Sequence, residues 1–138
     1  MTRVVLDTNL YVGWLNRGLH SEFFLGRGYV RYLSAVVVME LRAGVSTPKA
    51  GRALDQLSRG YRVGGRLVAP SAQLFHRAGG VLRRLRFAGR EVRRASLVHD
   101  VLIALTARAI GATVYTSDSA DFEAIRQVER FELEVVTA

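Results

Sequence analysis

Five carboxylates, Asp7, Glu40, Asp100, Asp118 and Asp121, hold most of the chemistry this sequence can do. Asp7 closes the apolar run Val4-Val5-Leu6 and is followed by Thr8 and Asn9. A run this short, β-branched and without period-2 alternation reads as a strand buried on both faces of a parallel sheet, and ligands bind at the carboxyl ends of such strands. Residues 112–118 repeat the pattern, closing on Thr116, Ser117 and Asp118. If the two strands are neighbours, Asp7 and Asp118 face each other at one edge of the sheet.

Asp100 lies in a stretch, 97–110, that is apolar nearly all round, with no basic residue three or four positions away. Glu40 is in the same position, since its helical neighbours are Val36, Val37, Ala43 and Gly44. A carboxylate on such a face must find a cation, take up a proton or cost several kcal/mol. Each acid also has a plain structural reading. Asp7 can cap the next helix, Asp118 or Asp121 the one after it, Asp121 can pair with a distant Arg, and Asp100 and Glu40 can form long-range ion pairs. Converged, they form a cluster that cannot stay ionised without a divalent cation. With no Cys and only His20, His76 and His99, the ligands are hard oxygens, which favours Mg²⁺ or Mn²⁺. Such ions activate water and neutralise a phosphodiester during in-line displacement.

The elements that must position these acids are set by periodicity and punctuation. Thr8 or Asn9 caps a helix running to about Asn16, with Leu10, Trp14, Val12 and Leu15 turned inward and Gly18 as its stop. A short amphipathic piece covers 19–25 and a strand 29–33, and Ser34 caps the next segment. Residues 35–44 combine a strand-favouring Val36-Val37-Val38 with a helix-favouring Met39-Glu40-Leu41-Arg42-Ala43, and helix is the assignment adopted. Further helices are expected over 48–59, from Ala72 with one face of Leu74, Ala78, Val81 and Leu85, over 97–110, and over 120–128. A short strand at 66–69 and a last one at 131–136 complete the series. Gly79-Gly80 suggests a kink or close packing in the fifth helix.

At 138 residues, 49% apolar, the chain fits one domain spanning 1–138 with one core. It has no run of about 18 apolar residues, and its strand begins within three residues of Met1, so neither a membrane span nor a signal peptide fits. A cytoplasmic protein with no membrane partner is expected, and the absence of Cys suits a reducing compartment. The net charge of +8 rests on 19 Arg and a single Lys, an excess that suggests a polyanionic partner. Arg83, Arg84, Arg86, Arg90, Arg93 and Arg94 are concentrated before Asp100. They can touch the phosphates of a polyanion, face a protein partner or form a solvated surface. His99 is a candidate for proton transfer or simply a packed side chain, and Tyr11 and Trp14 for base stacking or core packing.

The ordered motifs Val4-Val5-Leu6-Asp7-Thr8-Asn9, Val38-Met39-Glu40-Leu41-Arg42-Ala43-Gly44, His99-Asp100-Val101-Leu102-Ile103-Ala104 and Tyr115-Thr116-Ser117-Asp118-Ser119-Ala120-Asp121-Phe122 resemble the PIN-domain ribonucleases. Among these they look most like the small VapC-type toxins of toxin-antitoxin pairs. The resemblance implies an α/β fold, three layers α/β/α around a mostly parallel sheet. It also implies Asp7, Glu40, Asp100 and Asp118 as catalytic metal ligands, Asp121 as a further ligand or an acid just behind them, and Thr116 as polar support, with Asn9 beside it. Mg²⁺- or Mn²⁺-dependent endonucleolytic cleavage of RNA, homodimerisation and inhibition by a cognate antitoxin protein are implied in the same way. Arg83, Arg84, Arg86 and Arg90 lie outside the motifs and take no role from the resemblance; their charge alone makes them candidates for holding RNA. The competing reading is a non-catalytic RNA-binding or protein-interaction module on the same fold.

Overall fold

Five parallel strands in the order β3-β2-β1-β4-β5 form the centre of the computed structural model, which describes residues 1–137. β1 (Thr2–Leu6) is the middle strand, and Val4, Val5 and Leu6 are almost wholly buried, as a strand covered on both faces requires. β2 (Tyr29–Ser34) and β3 (Leu67–Val68) lie on one side of it, β4 (Thr113–Thr116) and β5 (Leu133–Val135) on the other. Order reverses between β1 and β4. Such a switch point opens a crevice at the strands' carboxyl ends, because the chain leaves the two strands toward opposite sides.

Among the described residues seven helices flank the sheet in a three-layer α/β/α arrangement: α1 (Thr8–Arg17), α2 (Ser21–Leu25), α3 (Ala35–Ala43), α4 (Pro48–Val63), α5 (Ala72–Phe87), α6 (Ala95–Ala109) and α7 (Ala120–Val128). α1, α3 and α4 form one contiguous group, and α5, α6 and α7 another. Ser34, Thr47 and Ser71 each accept a backbone N–H in the first turn of α3, α4 and α5, and Pro48 opens α4. The Ser34 cap decides the ambiguous segment, since it turns the valines after β2 into a helix with Val36 and Val37 buried. α6 is the most enclosed helix, buried continuously from Val101 to Ala107, with the Thr106 hydroxyl donating to the Leu102 carbonyl at 2.7 Å.

Several expectations are corrected. α1 starts one residue earlier than a Thr8 or Asn9 cap allows, with Asp7 at the cap position. Its buried face is Leu10, Tyr11 and Gly13, with Trp14 partly buried, and Val12 and Leu15 point outward at 43% and 47% exposure. Tyr11 is fully buried against Phe24, on which Trp14 stacks at 4.2 Å, so both aromatics serve packing. α4 continues to Val63, one turn beyond the expected end. Gly79 and Gly80 lie within an unbroken α5, and a Cβ at either would meet nothing within 4 Å, so close packing does not account for them. No helix is long and apolar enough to cross a membrane among the described residues.

Candidate active site

β1 and β4 end side by side, and their pairing runs on into the loop: the Asp7 N–H donates to the Tyr115 carbonyl at 2.9 Å. Asp7 is thereby set against the residues that come after β4. Thr116, fully buried, links them. Its Oγ1 donates to Asp7 Oδ2 at 2.9 Å, with the Asp118 carbonyl also within reach at 3.1 Å, and accepts from the Asp118 N–H at 3.0 Å and from Asn9 Nδ2 at 3.3 Å. Asn9 Oδ1 accepts the Ser117 N–H at 3.3 Å. The Asp7 carboxylate makes no capping bond to α1, so the helix-cap reading does not describe it.

Glu40 on α3 and Asp100 on α6 reach the same cleft, a space of about 810 Å³ lined by all five acids. Glu40 is held from two other helices: Thr8 Oγ1 donates to its Oε1 at 2.6 Å, and His99 Nδ1 lies 3.2 Å from its Oε2, a hydrogen bond when that nitrogen carries the proton. Asp118 is exposed at the mouth. Asp121, in the first turn of α7, meets Arg94 face to face, with Nη2 donating to Oδ1 at 2.9 Å and Nη1 to Oδ2 at 3.2 Å. Thus the predicted acids do come together, and Thr116 and Asn9 stand beside them.

Electrostatics shows that they share one field. Burial pushes the Asp7 carboxyl up to about 6, against hydrogen bonds from the Thr8 backbone and Thr116 that lower it, with Glu40 and Asp118 adding repulsion. Burial pushes Asp100 further, to about 8, reinforced by the charges of Asp7, Asp121, Glu40 and Asp118. Among the described residues Asp7, Asp100 and Asp118 have no cationic partner. Their charge and their oxygen-only chemistry fit a hard divalent cation. No three of the described His or acidic side chains are grouped closely enough to grasp one ion as they stand, so closing round a cation takes rotation of side chains.

A family model described as PIN domain matches residues 4–128. The chain belongs to the PIN domain family. Among curated proteins none matches it. Solved structures do. This PIN domain is similar to a chain of VapBC2 from Rickettsia felis bound to a DNA fragment from their promoter, at 24% identity over 98% of this chain and 99% of that one, with a TM-score of 0.71. VapBC-1 from nontypeable Haemophilus influenzae matches at 19% identity, 97% and 98% coverage and a TM-score of 0.72. DNA-bound VapBC from Salmonella typhimurium matches at 21%, 98% of each chain and 0.70. At these identities the likeness is one of fold.

The Arg run of the PIN domain divides. Arg84 is partnered, donating to the Val128 carbonyl and, with Arg77 and Arg108, to Glu129, whose side chain is 9% exposed. That ion cluster ties α5 and α6 to the end of α7, with the Arg84 side chain still 49% exposed. Arg83 and Arg86 lie 4.9 and 5.2 Å from the centre of the exposed Phe87 ring, Arg93 pairs with Glu91, and Arg90 is exposed. Sequence reasoning missed Thr8 as the partner of Glu40 and Arg94 as the partner of Asp121. Thr8 was legible by its place beside Asp7; Arg94 was hidden among its neighbours.

Proposed function

We propose that this PIN domain is a metal-dependent endoribonuclease, with Asp7, Glu40, Asp100 and Asp118 as the metal-binding acids, and that it is the toxin of a toxin-antitoxin pair. The observation that carries the reading is the convergence of Asp7 and Asp100, both pushed up toward or above neutrality, at the β1/β4 switch point with no basic partner. Mg²⁺ or Mn²⁺ bound there supplies charge neutralisation at the phosphodiester and a more acidic attacking water. The chain's own residues do the rest. Thr116 holds Asp7 by Oδ2, while Thr8 and His99 hold Glu40 from either side. The exposed Arg83, Arg86 and Arg90 hold the RNA backbone that bare acids would repel.

An antitoxin partner is supported by an apolar groove of about 470 Å³ between α1, α3 and α4, lined by Val12, Leu15, Leu41, Val45, Ala53 and Leu54. It meets the acid cleft at Glu40 and Val12, which line both. An amphipathic segment of the antitoxin laid there would bring its next polar residue to the acids, where a basic side chain is the complement. The similar structures of VapBC complexes, and of a member of the VapBC family of toxin-antitoxin systems, support the same reading, and a homodimer belongs to it by the same resemblance.

The test is cleavage of a labelled total-RNA pool by antitoxin-free protein with Mg²⁺, Mn²⁺ or EDTA, beside Asp100→Asn. Metal-dependent cutting that the variant loses is the expected result. Tight RNA binding with no cutting under any condition would instead make the protein a binding module.

A further inference from the structure

The cleft holds five acids, yet among its lining residues only Arg17 and Arg94 are permanently cationic. Arg94 is fixed in a defined pose. Its two Nη atoms grip both oxygens of Asp121, whose side chain is 18% exposed, and Nη1 also donates to Ser96 Oγ at 3.0 Å. A guanidinium has five N–H donors. Those three bonds leave Nε–H and one Nη2–H without a partner among the described residues, on a side chain that is 46% exposed at the cleft wall.

Resting on the nuclease reading above, we infer that Arg94 is the substrate-binding residue that seats an RNA phosphate beside the acids, and that Asp121 is the positioning residue that aims it. Each Asp121 oxygen accepts one guanidinium bond, and in this inference Asp121 works through Arg94 rather than on a metal. A carboxylate-backed Arg is suited to this because its plane is fixed before the ligand arrives, and the free edge of the fork matches a phosphate's oxygens. Lys cannot replace it, having neither the plane nor the second edge.

Two binding measurements on the full chain decide the matter: affinity for a single-stranded RNA made uncleavable by 2′-O-methylation, in EDTA over a range of salt, and affinity for Mn²⁺ alone by calorimetry. Wild type is compared with Arg94→Ala, Arg94→Lys, Asp121→Asn and Asp100→Asn, with melting temperatures taken to confirm folding. Arg94→Ala is expected to weaken RNA binding about tenfold and to make the log–log salt dependence shallower by about 0.7, the loss of one phosphate contact on a single strand. Arg94→Lys should restore less than half of that affinity loss. Asp121→Asn should weaken RNA binding yet keep Mn²⁺ affinity within about twofold, whereas Asp100→Asn should lose Mn²⁺.

An unchanged salt slope in folded Arg94→Ala would overturn the role of Arg94, leaving a clamp between α6 and α7. Loss of Mn²⁺ in Asp121→Asn equal to that in Asp100→Asn would overturn the role of Asp121. Wild type binding neither RNA nor Mn²⁺ would remove the nuclease reading itself, and this inference with it.

Discussion

Asp100 costs the metal-free protein stability, and the direction can be worked out. Its folded value of about 8 lies above the ordinary 3.8, so the folded state holds a proton that the unfolded state has lost between those pH values. Stability therefore falls as pH rises from about 4 to about 8, by on the order of a few kcal/mol once partial exposure is allowed for. In EDTA the melting temperature should decline over that range. Asp100→Asn should flatten the decline and melt at least about 3 °C higher at pH 8, by the usual conversion from free energy. A variant that melts lower at pH 8 would contradict the placement of an uncompensated charge there. Thr116 is the opposite case, since it is wholly buried and its hydroxyl is hydrogen-bonded to Asp7 and to the Asp118 N–H. Thr116→Val keeps the shape but strands Asp7 Oδ2 and the Asp118 N–H, and urea unfolding should show a loss of about 1–3 kcal/mol.

Among the elements, α2 depends least on itself. Five residues cannot sustain a helix alone. It is held by Phe24, packed between Tyr11 and Trp14, and by Arg31, which donates to the Phe23 and Gly26 carbonyls at 2.5 Å each. Phe24→Ala should cost about 3 kcal/mol or more, with amides 21–25 losing exchange protection first. At the other end of the molecule, Glu129 is raised by burial, but hydrogen bonds from Arg77 and Arg84 outweigh this and hold it below the ordinary carboxylate value. Glu129→Gln should destabilise the junction of α5, α6 and α7 without changing Mn²⁺ affinity, which calorimetry can check.

The sequence made the strands, the cap at Ser34 and the four motif acids readable, because each rests on a local rule about period, capping or an unpartnered charge. It could not reveal which way α1 faces. Leu10, Tyr11, Val12, Trp14 and Leu15 make an apolar set too broad for one buried stripe, and only the position of Phe24 selects Tyr11 over Val12 and Leu15. Nor could it separate Arg84 from Arg83 or Arg94 from Arg93, since pairing partners 45 and 27 positions away are a tertiary matter.

For the molecule as a whole, an acidic cleft on a body of net charge +8 makes nucleic-acid binding salt-dependent. If Arg83, Arg86 and Arg90 each meet one phosphate, their joint replacement by Ala should make the log–log salt slope for single-stranded RNA shallower by about 2. Equal slopes for the triple variant and wild type would relegate that surface to solvation.

The β1/β4 pairing joins positions 7 and 116, separated by most of the chain. A ribosome making this protein at roughly 5–20 residues per second adds Thr116 about 5–20 seconds after Asp7. Until then β1 can pair with β2 but not with β4, and the carboxylate lacks the Thr116 hydroxyl that holds it. On the nuclease reading proposed above, a fragment cut short before β4 lacks Thr116 and Asp118 and should be inactive.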